Sequence, residues 1–210
     1  MPLDPLHQAP KPLNGWILNE IRDFPEGGGY RFSPSWRAAN DPTNPRDPEY
    51  DGVLRSLTVQ SKVVARASSD GATYCCGVTL EAYWRAYQRA AADPQAVPGG
   101  LGAAQAEQFI ALWFCPEMGS SGPSEALVGF GLGDAIGAQE AQPGDLVQFW
   151  RSTHLSHPSG HSAIFLGWEP GGGIRYWSSQ PATGGVNVHV EVPQAQWTFS
   201  FARAHAPSRS

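Results

Sequence analysis

The sequence predicts an α+β fold in which a helix near the middle of the chain packs on an antiparallel β-sheet. Three observations predict it. Helical spacing of apolar residues is concentrated between 75 and 114, and from 146 onward it gives way to short apolar runs cut by Gly, Pro and Ser. Helices first and an antiparallel meander afterwards is the layout in which helices cover one face of the sheet. The composition can bury a core, with 41% apolar against 16% charged residues in a chain of 210.

Residues 1 to 55 are rich in proline, with turn clusters in "FPEGGGYRFSPSW" and "DPTNPRDPEYDG". Each proline removes a backbone donor and restricts its predecessor, so long helices are not expected there. Trp16, Ile17, Tyr30, Phe32 and Trp36 make an extension wrapped over the core the expectation, since disordered segments are poor in aromatics. Residues 56 to 210 form the domain proper. Within it Leu80, Tyr83, Trp84, Tyr87 and Ala91 trace a helix over 75–92 that Asp93-Pro94 ends. A second helix covers 101–114, and a glycine-rich stretch, 119–144, closes in the turn "AQPGD". The strands are "LVQFW", "HSAIFLGW", "IRYWSSQ", "VNVHVEV" and "WTFSFARA".

Several function classes are disfavoured. A net charge of −5 with no basic cluster argues against nucleic acid, whose phosphates must be neutralised by Lys and Arg. No run approaches the roughly 20 apolar residues of a membrane span. The first twenty residues show neither the basic start nor the apolar run of an export signal. Three cysteines make no disulfide framework, and no cofactor is called for.

The chemistry centres on "YCCG". With Thr73 as N-cap, Cys75 occupies the opening turn of the helix, where free N–H groups and the helix dipole favour a thiolate. Reactivity below the ~8.5 pKa of a free thiol is therefore expected of Cys75. Cys76 lies on the stripe of Leu80, Tyr83 and Tyr87 and reads as a small buried hydrophobe. A cysteine nucleophile needs a base. His161 opens an apolar strand after a "PSG" turn, at the sheet edge, with His154 and His157 in the loop before it. His189 alternates within a strand and reads as half-exposed. On the strand "YWSSQ", Tyr176, Ser178 and Gln180 share a face, and the Gln180 amide oxygen can accept from the far nitrogen of the histidine. Ser178 is a second candidate for that role. Trp150, His157 and Trp177 are expected on the cleft, with 119–142 and 151–160 as its walls.

"YCCGVTLEAY", "PGDLVQFW" and "GHSAIFLGW", in that order, resemble the NlpC and CHAP groups of papain-like cysteine hydrolases over roughly residues 70 to 180. The resemblance places the family's cysteine on Cys75, its glycine on Gly77, its turn on Pro143-Gly144-Asp145 and its histidine on His161. Tyr74 stands where the family has aspartate, Cys76 where it has serine, and Gln180 or Ser178 where it has another polar third residue. What the resemblance implies is hydrolysis of an amide in peptidoglycan stem peptides, with the Cys75 N–H, aided by Tyr74, at the oxyanion. That substrate implies a secreted or cell-envelope setting, and an inhibitor or immunity protein is left open as a partner. Two other readings are carried: a non-catalytic peptide- or glycan-binding module with a degenerate triad, and a zinc hydrolase using His154, His157 and His161.

Overall fold

The computed structural model describes residues 10–32, 50–154 and 159–208. Its architecture is α+β, built on a large antiparallel sheet with few helices. Helix α1 (Asn14–Arg22) and the short strand β1 (Gly27–Gly28) come first, followed by a hairpin of β2 (Leu57–Val59) and β3 (Lys62–Ala65). Then come α2 (Cys75–Ala91), α3 (Ala103–Trp113), α4 (Pro123–Gly129) and β4 (Gly133–Ile136). Strands β5 (Leu146–Ser152), β6 (Ser159–Trp168), β7 (Ile174–Gln180), β8 (Gly185–Glu191) and β9 (Thr198–Ala204) complete the chain. No described helix is long and apolar enough to cross a membrane.

The sheet order is β1-β8-β7-β6-β5-β9-β4. Strands β5 to β8 form the expected meander. The last strand departs from it, because β9 returns to pair with β5, with Phe201 opposite Val147. Within 119–144, expected as a glycine-rich connection, α4 and β4 form, and β4 extends the sheet beyond β9.

Alternation along the strands splits the sheet into two faces. Leu146, Ile164, Trp177 and Ala202 face the helices and share a core with Leu80, Tyr83, Trp84 and Trp113. Val147, Phe149, Phe165, Tyr176 and Phe201 form a second cluster on the other face, where Phe149 stacks on Trp197 at 5.5 Å.

The described parts of residues 1–55 belong to the first core. Leu13 and Ile17 are fully buried, and β1 pairs with β8 through Gly27 and Val186. Glu20, also buried, receives Arg85 at 2.5 Å and Arg89 at 2.6 Å, locking α1 against α2. Trp16 and Phe32 are exposed, and Trp36 lies outside the described residues.

The turn before β5 is held by Asp145. Its buried carboxylate takes Arg203 at 3.0 and 2.8 Å, the Asn14 side chain at 2.7 Å and the Gln142 N–H at 2.6 Å. Burial of a carboxylate is tolerated when it is paired and hydrogen-bonded in this way. Gly144 is required there, since a Cβ would come within 2.7 Å of the Asn14 carbonyl oxygen.

Candidate active site

Cys75 is the first residue of α2, and Tyr74, extended at φ −142°, is its N-cap. Thr73, expected in that position, instead donates its hydroxyl to Ser179 on β7 at 2.7 Å. That bond pins the helix start to the sheet. Gly77 lets the chain cross close by, because a Cβ would stand 2.3 Å from the Asp51 carbonyl oxygen. The "YCCG" glycine is thus demanded by a backbone contact rather than by an unusual dihedral.

His161 lies near the start of β6, which β5 and β7 flank, so it stands on an interior strand and not at the sheet edge. Its ring is 5% exposed and sits 5.3 Å from Phe149 and 5.3 Å from Tyr176. These rings fix the plane of the imidazole. Its Nε2 is buried without a hydrogen-bond partner among the described residues. Counting back along β6 and β7 from the Ile164–Trp177 pair sets Gln180 across from His161. The Gln180 amide nitrogen donates to Thr183 Oγ1 at 2.7 Å, and its Oε1 is buried with no partner among the described residues. Ser178 is differently engaged: its hydroxyl donates to the Ser162 carbonyl at 2.7 Å, and it is fully buried.

His161 lines the same cleft as Cys75, and its charge and hydrogen-bonding capacity act to lower the thiol pKa. They are outweighed. The hydrogen bond to the Cys76 thiol, Sγ to Sγ 3.8 Å, and burial together push the Cys75 pKa well above its ordinary value. The expectation of a depressed pKa at the helix start is therefore corrected. The dipole is present, but a second thiol and desolvation dominate. Cys76 is buried as expected but also faces the cleft, with Sγ 3.3 Å from Ser162 Oγ, which donates to Gln148 Oε1. Its pKa is raised too, first by Cys115.

Cys75, His161, Gln180 and Trp150 line one cleft of about 610 Å³. Trp150 is held by its indole N–H on the Ser120 carbonyl at 3.0 Å. Other expected residues lie elsewhere. Trp177 packs edge-on against Phe24 at 5.1 Å on the helix side of the sheet. Tyr74 is fully buried among Tyr50, Phe32 and Phe114, so its phenol does not line the cleft. No described residue of 119–142 lines the cleft, and Phe130 packs edge-on against Phe109 instead. Of the loop 151–160, Arg151, Ser159 and Gly160 contribute, while His157 lies outside the described residues. His154 is exposed, and among the described residues no three of His, Cys, Asp or Glu are grouped to hold a metal.

Among the cleft residues that carried no chemical role in the sequence reading are Tyr30, Cys115, Arg151, His189 and Glu191. Tyr30 arrives through a bridge to Thr73, and burial, then Cys75 and Cys76, raise its pKa. Arg151 and Glu191 form an ion pair between β5 and β8, to which the Tyr176 hydroxyl adds a hydrogen bond. The signal for His189 and Glu191 was present, since they alternate with Val188 and Val190 on one strand face.

The fold and cleft define an α+β protein in which a thiol at the start of a buried helix and an imidazole line one cleft. No family model, curated protein or solved structure matches the chain.

Proposed function

We propose that the chain is a cysteine-dependent amide hydrolase of the NlpC/CHAP papain-like kind, acting on the stem peptides of peptidoglycan. One observation carries the reading: Cys75, at a helix N-terminus, and His161 line one open cleft together with a buried Gln180 whose Oε1 has no partner among the described residues. Nucleophile, base and orienter then come from α2, β6 and β7, in the order the resemblance implies.

The raised thiol pKa keeps Cys75 in its thiol form at rest. His161 takes the proton as Cys75 Sγ attacks the substrate carbonyl, forming the S–C bond of a tetrahedral oxyanion. Backbone N–H groups in the first turn of a helix have no intrahelical acceptor, so that of Cys75 is available to the oxyanion. Collapse expels the amine, which leaves with the proton from His161. Water, deprotonated by His161, then releases the acid from the thioester. Gln180 Oε1, unpartnered at rest among the described residues, is the acceptor offered to the ring of His161 across the strands, and Thr183 fixes the Gln180 amide.

A non-catalytic binding cleft is the second reading, and the raised Cys75 pKa is the observation that favours it. Amide cleavage assayed with wild type, Cys75→Ala and His161→Ala separates the two. Hydrolysis lost in both variants and untouched by EDTA supports the cysteine enzyme. Absence of any cleavage by the wild type supports the binding cleft, and loss in EDTA supports a zinc hydrolase.

A further inference from the structure

The ion pair on the cleft wall is built more firmly than a surface salt bridge. Arg151 Nε donates to Glu191 Oε2 at 2.8 Å, and Nη2 donates to Oε1. The Tyr176 hydroxyl donates to the same Oε1. The guanidinium lies over two rings, 4.9 Å from the Phe149 centroid and 5.3 Å from that of Trp197. Three groups thus hold the guanidinium plane directly, and Tyr176 holds Glu191 in turn. A fork and two aromatic faces leave the guanidinium little freedom to lose on binding a ligand.

These bonds use Nε and Nη2. No bond to Nη1, which carries two N–H donors, is formed among the described residues. The side chain is 26% exposed, and it supplies the cleft with its one Lys or Arg among the described lining residues. Arg151 also lies close enough to Cys75 for their charges to interact. A fixed donor edge therefore stands in the same cleft as the nucleophile, with no partner among the described residues.

We propose that Arg151 is the specificity residue of the cleft and receives a substrate carboxylate on its Nη1 edge. The inference rests on the hydrolase reading and deepens it: the amide cleaved belongs to a peptide bearing a free carboxylate near the scissile bond. Glu191 decides against a phosphate, because a dianion beside that carboxylate is repelled, whereas one planar carboxylate matches the free edge. Glu191 itself acts as a positioning residue that orients the guanidinium.

Equilibrium binding to the Cys75→Ala protein tests this apart from catalysis. The probes are peptidoglycan stem peptides with free carboxylates and the same peptides with those carboxylates amidated. The acid forms are expected to bind about tenfold more tightly. In the Arg151→Gln/Glu191→Gln double variant, which leaves no charge unpaired, acid and amide should bind alike while the thermal melt stays cooperative. Equal binding of the two forms by the Cys75→Ala protein, binding of neither, or a preference that survives the double variant overturns the proposal. Amine release by the wild type on the same peptides reports on the hydrolase reading separately. Acid preference without release removes that reading and leaves Arg151 as the anchor of a binding cleft.

Discussion

Cys75 meets the cleft at the first position of α2, while Cys76 is tied back into the sheet through Ser162 and Gln148. Adjacent thiols with different partners should behave differently. Because the Cys75 pKa is raised, its thiolate fraction is small at neutral pH and grows only as pH climbs. Alkylation of Cys75 by iodoacetamide should therefore keep accelerating beyond the ~8.5 of a free thiol. The Cys76 hydrogen bond is the largest cause of the rise, so Cys76→Ala should move the acceleration to lower pH. A plateau below that pH in the unchanged protein would contradict the assignment. For the base, His161→Ala should cost about 10²–10⁴ in turnover, the range for a general acid–base group. Gln180→Ala should cost less, since it orients the ring without moving a proton; kcat for both variants, with circular dichroism to verify folding, checks the order. The sequence placed Cys75, His161 and Gln180 on the helix start and strand ends where the structure has them. It misjudged the thiol electrostatics, because the convergence of Cys76 and Cys115 depends on a loop 39 residues away.

Helix α2 holds the site because its start is clamped from two sides. The Thr73–Ser179 bond ties it to β7, and Gly77 accepts the crossing of Asp51 and Gly52. Gly77→Ala should destabilise the protein by about 1–3 kcal/mol, the cost of overpacking a tight contact. Urea unfolding checks it, and an unchanged midpoint would show that the crossing yields freely. At this scale the long signals were legible. Helices α2 and α3 and strands β5 to β8 follow uninterrupted periodic runs bounded by Pro or Gly. Helix α4 was not, for seven residues that end in Gly129 and follow Gly122 give too few turns for a period to show. The pairing of β9 with β5 is non-local and leaves no mark in either strand.

At the level of the molecule, the proline-rich beginning is part of the structure that builds the cleft. Leu13 and Ile17 are buried with the core of α2, and Tyr30 reaches the site from the same segment. Ile17→Ala should therefore cost about 2–5 kcal/mol and still give one unfolding transition, because no separate unit is left to melt. Two resolved transitions in calorimetry would show the segment to be independent. That Tyr30, Arg151 and Glu191 share a cleft with Cys75 follows from sheet order and bridge partners, which composition and periodicity do not encode. The central claim is that this cleft cleaves amides through Cys75. The most direct measurement is mass spectrometry of peptidoglycan fragments incubated with the wild type and with Cys75→Ala, scoring new amino groups and new reducing ends. New amino groups without reducing ends, released by the wild type and absent with Cys75→Ala, are predicted. Reducing ends, or equal release by both proteins, would contradict the account.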